Sequence, residues 1–122
     1  MSKCIFIVDD STTARMALKS KLEGHGYEII EAVDGLDATR KLTGREVDLL
    51  ITDYDMPNMN GLDLARSVRR MEGKNFLPIL IMTSHKEDRL KDDAKTLGVA
   101  GWLDKAVDMT RLPKMVNLLI GS

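Results

Sequence analysis

Five polar side chains lie at the ends of short apolar runs, and their types suit metal and phosphate chemistry. Three carboxylates brought together would repel one another unless a divalent cation lay among them. A lysine and a hydroxyl nearby suit an anionic group instead. The combination indicates a metal ion together with a phosphoryl group. The five residues are Asp9, Asp10, Asp53, Thr83 and Lys105.

The apolar runs themselves are short, continuous and bounded by turn residues. This pattern is typical of strands that are covered on both faces of a parallel sheet. In such a sheet the five polar residues fall on one carboxyl edge, which is where open α/β sheets bind ligands. The predicted strands cover residues 4–8, 28–32, 48–52, 79–83 and 101–104.

Segments with a helical period separate the strands, so the chain alternates between strand and helix. Ser11 can cap the first helix, Asp34-Gly35 indicates a turn, and glycines follow the later helices. We expect one α/β domain over residues 1–122, a parallel five-stranded sheet with helices on both faces. The apolar stripes contain Ala14, Leu18 and Leu22; Ala38 and Leu42; Leu64, Val68 and Met71; Leu90, Ala94 and Leu97; and Leu112, Met115, Val116 and Leu119.

Composition excludes several classes of partner. The chain has 122 residues, 43% of them hydrophobic and 30% charged, with a net charge of −1. The charge balance does not favour nucleic acid as a partner, and no stretch of the sequence has the run of basic residues that binds it. The apolar runs are far shorter than a membrane helix requires. The single cysteine, Cys4, cannot form an internal disulfide and is expected in the core, so a cytoplasmic location is expected.

The motifs resemble the receiver domain of two-component response regulators over essentially the whole chain. The resemblance rests on four elements in order: Val8-Asp9-Asp10-Ser11, the run from Asp53 to Gly61, Thr83-Ser84, and Lys105. It implies a flavodoxin-like (βα)5 three-layer sandwich with strand order 2-1-3-4-5. It also implies a stand-alone, phosphorylation-dependent binding module that acts on no metabolite and catalyses only its own phosphorylation and dephosphorylation. The lysines of the fourth helix and Trp102 favour a chemotaxis-type effector.

The resemblance assigns the site residues. Asp53 is the expected phosphoacceptor, taking the group from a phosphohistidine or a small acyl phosphate. Asp10, Asp53 and the backbone carbonyl of Asp55 are the expected Mg²⁺ ligands, with Asp9 bound through water; Mn²⁺ is a plausible substitute. Lys105, the Thr83 hydroxyl and the Ser84 backbone N–H are expected to hold the phosphoryl oxygens.

The expected output is a change of surface. Thr83 would shift toward the phosphoryl group, and Trp102 would turn inward behind it. The partners implied are a sensor histidine kinase or histidine phosphotransfer domain and a downstream target such as the flagellar motor switch, bound by a monomer. The expected partner surface carries Lys91, Lys95, Trp102 and Lys114.

Three residues depart from the family pattern or tune it. Ala106 follows Lys105 where most receivers have proline, so the peptide there has no proline to favour a cis bond. In the family that this chain resembles, the side chains at the positions of Asp55 and His85 influence how water reaches the phosphoaspartate, although His85 itself is expected to be a solvated loop residue. The lifetime of the phosphorylated form therefore does not follow from the motif.

Four other interpretations remain open at this point. The chain could be a phosphorelay intermediate, or a piece of a longer regulator or hybrid kinase. Asp53-Tyr54-Asp55 also resembles the Asp-x-Asp motif of haloacid-dehalogenase-like phosphatases, although that motif follows the first strand of their fold. A pseudo-receiver that binds partners without phosphate is the fourth.

Overall fold

The computed structural model describes residues 2–84, 92, 94–105 and 108–121, and these form an α/β fold. The strands are β1 (Cys4–Val8), β2 (Glu28–Ala32), β3 (Leu49–Asp53), β4 (Ile79–Thr83) and β5 (Gly101–Asp104). The helices are α1 (Thr12–Glu23), α2 (Gly35–Leu42), α3 (Gly61–Arg69), a short 3₁₀ helix (Met109–Arg111) and the C-terminal helix (Leu112–Ile120). Residues 92 and 94–96 are also helical.

The five strands form one parallel sheet in the order β2-β1-β3-β4-β5, which confirms the expected flavodoxin-like arrangement. β1 and β3 are neighbours, with Val8 paired to Thr52, and β3 pairs with β4 through Asp53 and Met82. This order brings the ends of β1 and β3 side by side at the carboxyl edge.

Apolar side chains cover both faces of the sheet, so the protein has two cores. One core packs α2 and α3 against one face, through Leu42, Leu64 and the strand residue Phe6. The other packs α1 and the C-terminal helix against the opposite face, through Leu22 and Val116. Burial on both faces explains why the strands read as continuous apolar runs.

Side-chain caps fix where the helices begin. The Ser11 hydroxyl accepts from the backbone N–H of Ala14, as predicted for α1. Asp34 caps α2 by accepting from Asp37 N, so the predicted Asp34-Gly35 turn is wrong: Gly35 is the first helical residue. Asn60 and Asp63 form a reciprocal capping box at α3.

Three further predictions need correction. β3 begins and ends one residue later than predicted, because Asp53 still pairs with Met82 of β4. Cys4 is only half-buried, since it is the first residue of its strand. Leu119, placed in an apolar stripe, is 37% exposed.

Four residues named in the predictions, Leu90, Lys91, His85 and Ala106, lie outside the described residues. No helix within the described ranges is long and apolar enough to cross a membrane.

Candidate functional site

The carboxyl edge of the sheet brings together residues from three strand ends. Asp9 and Asp10 follow β1, Asp53 is the last residue of β3, and Lys105 follows β5. The backbone N–H of Lys105 donates to the Thr83 carbonyl oxygen over 3.1 Å, so β4 and β5 also end together. These residues are distant from one another in the sequence. The order of the strands in the sheet is what brings them close together in space.

Three carboxylates form the acidic cluster of the site. Asp9, Asp10 and Asp53 each offer an oxygen atom, and these atoms all lie within 4.8 Å of one another. Asp9 and Asp53 are buried, whereas Asp10 is exposed. One oxygen of Asp9, Oδ1, accepts the backbone N–H of Ser11 over 2.9 Å, which orients that carboxylate.

Lys105 forms ion pairs with two of these carboxylates. Its ammonium Nζ lies 2.9 Å from Asp53 Oδ1 and 3.3 Å from Asp9 Oδ2. Burial alone would lower the pKa of Lys105, but the hydrogen bond to Asp53 and the charges of Asp53 and Asp9 outweigh it. The pKa of Lys105 is therefore raised, and the side chain stays a positive charge at the sheet edge.

Asp53 is held in a buried environment. Burial raises the pKa of its carboxyl group and the charge of Asp9 adds to this effect, while the hydrogen bond from Lys105 opposes both. The backbone N–H of Asp55 also donates to Asp53 Oδ1, over 3.4 Å. A second cation near Asp53 would therefore relieve an excess of negative charge that Lys105 alone does not balance.

The donor set fits a hard divalent cation. Mg²⁺ prefers oxygen ligands and usually keeps several waters, so a few carboxylate oxygens with one side open to solvent are sufficient. The cluster supplies three such oxygens, and exposed Asp10 leaves solvent access. The residues present therefore fit the metal that the sequence predicts.

Thr83 and Ser84 take up the predicted positions at the end of β4. Thr83 is its last residue and is buried, and Ser84 follows it and is exposed. Asp55 lies in the loop after β3 and is exposed.

The loop after Asp53 is tightly packed against the start of α3. The backbone N–H of Gly61 donates to the Tyr54 carbonyl oxygen over 3.0 Å. A Cβ at Gly61 would lie 2.7 Å from the Asp53 carbonyl oxygen, so only glycine fits there. Asn58 in this loop has a positive φ of 69°.

Arg15 is a site residue that sequence reasoning missed. Its guanidinium donates to the Asp9 carbonyl oxygen and to the Thr12 hydroxyl, and it pairs with Glu31 of β2 at 3.5 Å. It thereby ties the loop that carries the acidic residues to the edge strand. One arginine within a helix gives no sequence signal for this role; only the position of β2 next to β1 reveals it.

Trp102 lies half-buried on β5, against the core formed with α2 and α3. Its ring centroid is 6.0 Å from that of Tyr54, the residue after Asp53. Its indole Nε1 is buried and has no hydrogen-bond partner among the described residues. Such an unsatisfied donor is costly, about 1–3 kcal/mol.

The predicted partner surface is only partly described. Lys95 and Lys114 are exposed, and Lys91 lies outside the described residues.

Comparisons with known proteins agree with this geometry. The family model described as the response regulator receiver domain matches residues 5–117. Chemotaxis protein CheY1 of Helicobacter pylori is 33% identical over 120 residues, 97% of this chain and 97% of CheY1. Sensor protein EvgS of Escherichia coli is 39% identical over 95 residues, 78% of this chain but only 8% of EvgS. The solved structure of chemotaxis protein CheY4 of Vibrio cholerae superposes with a TM-score of 0.91 at 31% identity, covering 98% of this chain and 99% of CheY4.

Proposed function

This chain belongs to the response regulator receiver domain family, and we propose that it is a phosphorylation-dependent switch whose phosphoacceptor is Asp53. Receiver domains belong to two-component signalling and interact with histidine kinases and downstream effectors. The observation that carries the proposal is the ion pairing of Lys105 with both Asp53 and Asp9, beside Asp10.

The chemistry follows from the arrangement of these side chains. An oxygen of Asp53 forms a bond to phosphorus while the bond from phosphorus to the donor's imidazole nitrogen or acyl oxygen breaks, and the donor leaves with that electron pair. Lys105 would balance charge on the phosphoryl oxygens, since its raised pKa keeps it protonated. The Thr83 hydroxyl and the Ser84 backbone N–H would donate to the remaining oxygens.

Asp10, Asp53 and the Asp55 carbonyl would hold Mg²⁺, and Mn²⁺ is a candidate for the same oxygens. Both Asp9 oxygens already accept hydrogen bonds, from Ser11 N and from Lys105, which supports a contact through water rather than direct ligation. Bound there, the metal would neutralise charge on the transferred group.

Trp102 is the proposed output residue, coupled to Thr83. Its Nε1 is buried and has no hydrogen-bond partner in the described part of the chain. When Thr83 shifts toward the phosphoryl group, a new position of the indole ring in which Nε1 finds an acceptor would therefore be favoured. The ring adjoins Tyr54, directly after the phosphoacceptor. The surface that changes would carry Lys95 and Lys114, together with Lys91.

We favour a chemotaxis-type effector over a phosphorelay intermediate. The support is the match to CheY1 and CheY4 over nearly their whole lengths. The match to EvgS is higher in identity but covers only a small part of that sensor protein, and it favours the phosphorelay intermediate instead.

A single receiver domain over residues 1–122, a monomeric state and a cytoplasmic location are further parts of the proposal.

Phosphoryl acceptance is tested by intact mass after incubation with acetyl phosphate and Mg²⁺. We expect a gain of one phosphoryl group that disappears with EDTA and in Asp53→Asn. An unchanged mass, together with no response of Trp102 fluorescence to beryllofluoride, would favour the pseudo-receiver.

The phosphatase alternative loses its basis, because Asp53-Tyr54-Asp55 begins at the end of β3 and the chain belongs to the receiver family.

The pathway is tested with two purified partners from the same organism. A chemotaxis-type effector, loaded with beryllofluoride, should bind the flagellar motor switch protein, and Lys95→Glu and Lys114→Glu should weaken this binding. A phosphorelay intermediate should instead pass its phosphoryl group to a histidine phosphotransfer domain within minutes.

A further inference from the structure

A second cavity lies at the opposite edge of the sheet, away from the acidic cluster. Two loops line it: residues 43–48, which lead into β3, and residues 71–78, which lead into β4. Its volume is about 940 Å³, enough for a small organic molecule. Nothing in the receiver chemistry uses this cavity.

Lys74 is the feature of this cavity that points to a ligand. The residue is only 7% exposed, which is unusual for a lysine. Within the described residues its ammonium has no hydrogen-bond or ion-pair partner, yet it is not among the fully buried polar atoms. Lys74 therefore lines the cavity as a largely buried lysine whose ammonium keeps some exposure and has no counter-charge in the described part of the chain.

Arg45 brings a second positive charge to the cavity from the other loop. Its Nε donates to the Lys41 carbonyl oxygen over 3.2 Å, which anchors the side chain at one end. Its terminal nitrogens make no hydrogen bond or ion pair among the described residues. An anionic group bound in the cavity that both residues line would give these cations a counter-charge.

The remaining walls favour an apolar body for the ligand. Phe76, on the rim, is 94% exposed, so a large aromatic ring stands in solvent beside the cavity. Met71 and Leu77 belong to the same loop and also line the cavity. A ligand with an apolar body would cover the Phe76 ring.

Three acidic residues limit the charge of the ligand. Glu46 and Glu72 are exposed on the rim, and Asp48 accepts the backbone N–H of Cys4 over 2.7 Å. Three carboxylates beside two cations disfavour polyphosphates and other polyanions. A ligand with a single carboxylate, directed at Lys74 and Arg45, is compatible with the three acidic side chains.

We propose that this cavity is a binding site for a small carboxylic acid with an apolar body. The carboxylate lies between Lys74 and Arg45, and the body packs against Phe76. The site is independent of phosphoryl transfer at Asp53.

The test is an NMR titration of the ¹⁵N-labelled full chain with phenylacetate. Amide shifts should concentrate in residues 43–48 and 71–78. 2-Phenylethylamine, with the same ring and the opposite charge, should produce no such shifts. Equal binding of the amine, or shifts confined to the neighbourhood of Lys105, would overturn the proposal.

Variants separate binding from folding. Lys74→Met should weaken phenylacetate binding about tenfold or more, whereas Lys74→Arg should retain it. Phe76→Ala removes an exposed ring, so the fold should be unaffected while binding weakens. All three should accept phosphate from acetyl phosphate at the wild-type rate, and unchanged binding in Lys74→Met would contradict the site.

Discussion

At the scale of single residues, Lys105 compensates the charge of two carboxylates that a metal ion would also neutralise. Its contacts of 2.9 Å to Asp53 and 3.3 Å to Asp9 put one ammonium in competition with the cation. The same residue is expected to aid phosphoryl transfer. Its removal should therefore affect metal binding and phosphorylation in opposite directions.

Lys105→Met should tighten Mg²⁺ binding about 3- to 10-fold, because a competing positive charge is lost. It should also slow phosphoryl acceptance by about 100-fold, because charge on the transferred group is no longer balanced. Fluorescence of Trp102, the single tryptophan, measures the first and intact mass the second. Lys95→Met, a lysine exposed elsewhere, is the control; weaker Mg²⁺ binding in Lys105→Met would contradict the assigned competition.

Cys4 permits a prediction about pH. Burial raises the pKa of its thiol, the charges of Glu28 and Asp48 add to this, and Arg45 opposes it. Because the thiolate is the reactive form, alkylation by iodoacetamide should reach half its maximal rate at a pH above the ordinary thiol value. Glu28→Gln should lower that midpoint; a midpoint at or below the ordinary value would disprove the environment described here.

Single residues differ in how well sequence reveals them. Asp9, Asp53 and Lys105 were predictable as neighbours because each lies at the carboxyl end of a strand or directly after it, and parallel strands end at one edge. Arg15 and Lys74 were not, because their roles depend on contacts between loops that are distant in sequence. The buried Nε1 of Trp102, which has no partner among the residues that the structure describes, also has no sequence signal, since it depends on how the ring packs.

At the scale of elements, the close approach of α3 to β3 positions the loop after the phosphoacceptor. A Cβ at position 61 would lie 2.7 Å from the Asp53 carbonyl oxygen and 3.0 Å from Tyr54 Cα. These are backbone atoms at the end of a central strand, so they cannot move aside easily.

Gly61→Ala should therefore lower the free energy of unfolding by about 1–3 kcal/mol and weaken Mg²⁺ binding, because the loop carrying the Asp55 carbonyl is displaced. Gly24→Ala is the matched control: Gly24 has a helical φ of −60°, and a Cβ there would lie 3.6 Å from its nearest neighbour. Urea denaturation measures stability. Equal stability of the two variants would contradict the packing described.

Arg69 connects the end of α3 to two other loops. Its guanidinium donates to the carbonyl oxygens of Leu97 and Leu77 over 2.7 Å each, and to two further carbonyls, those of Lys74 and Gly98, over 3.1 Å. Replacing it leaves several carbonyls without their donor.

Arg69→Met should lower the free energy of unfolding by about 2–3 kcal/mol, because the bonds from a charged group are lost. Arg70→Met, at the exposed neighbouring position, should change it by less than about 0.5 kcal/mol. Urea denaturation of both variants makes the comparison. Similar losses would show that Arg69 acts as an ordinary surface arginine.

Element boundaries were predictable where a cap or a breaker marks them. Ser11 and the strand ends at Val8 and Thr83 follow this rule. Asp34-Gly35 did not, because an aspartate before a glycine suits a turn and a helix start equally. The structure distinguishes the two possibilities, because the Asp34 side chain accepts the backbone N–H of Asp37 and so caps a helix.

At the scale of the whole molecule, strand order turns a linear pattern into a site. The apolar runs predicted five parallel strands, but the order 2-1-3-4-5 came from resemblance, because periodicity does not say which strands are neighbours. The structure confirms that order and thereby brings Asp9, Asp10 and Asp53 together. The cavity beside Lys74 lies at the other edge, so the two ends of the sheet can be tested independently.

Three carboxylates share the site, so the most direct measurement identifies which one takes the phosphoryl group. The protein is incubated with acetyl phosphate and Mg²⁺ and treated with borohydride, which reduces an acyl phosphate to homoserine, and its peptides are sequenced by mass spectrometry. We predict homoserine at position 53 alone, dependent on Mg²⁺. Homoserine at position 9 or 10, or none at 53 in protein that has gained a phosphoryl group, would contradict the assignment of Asp53.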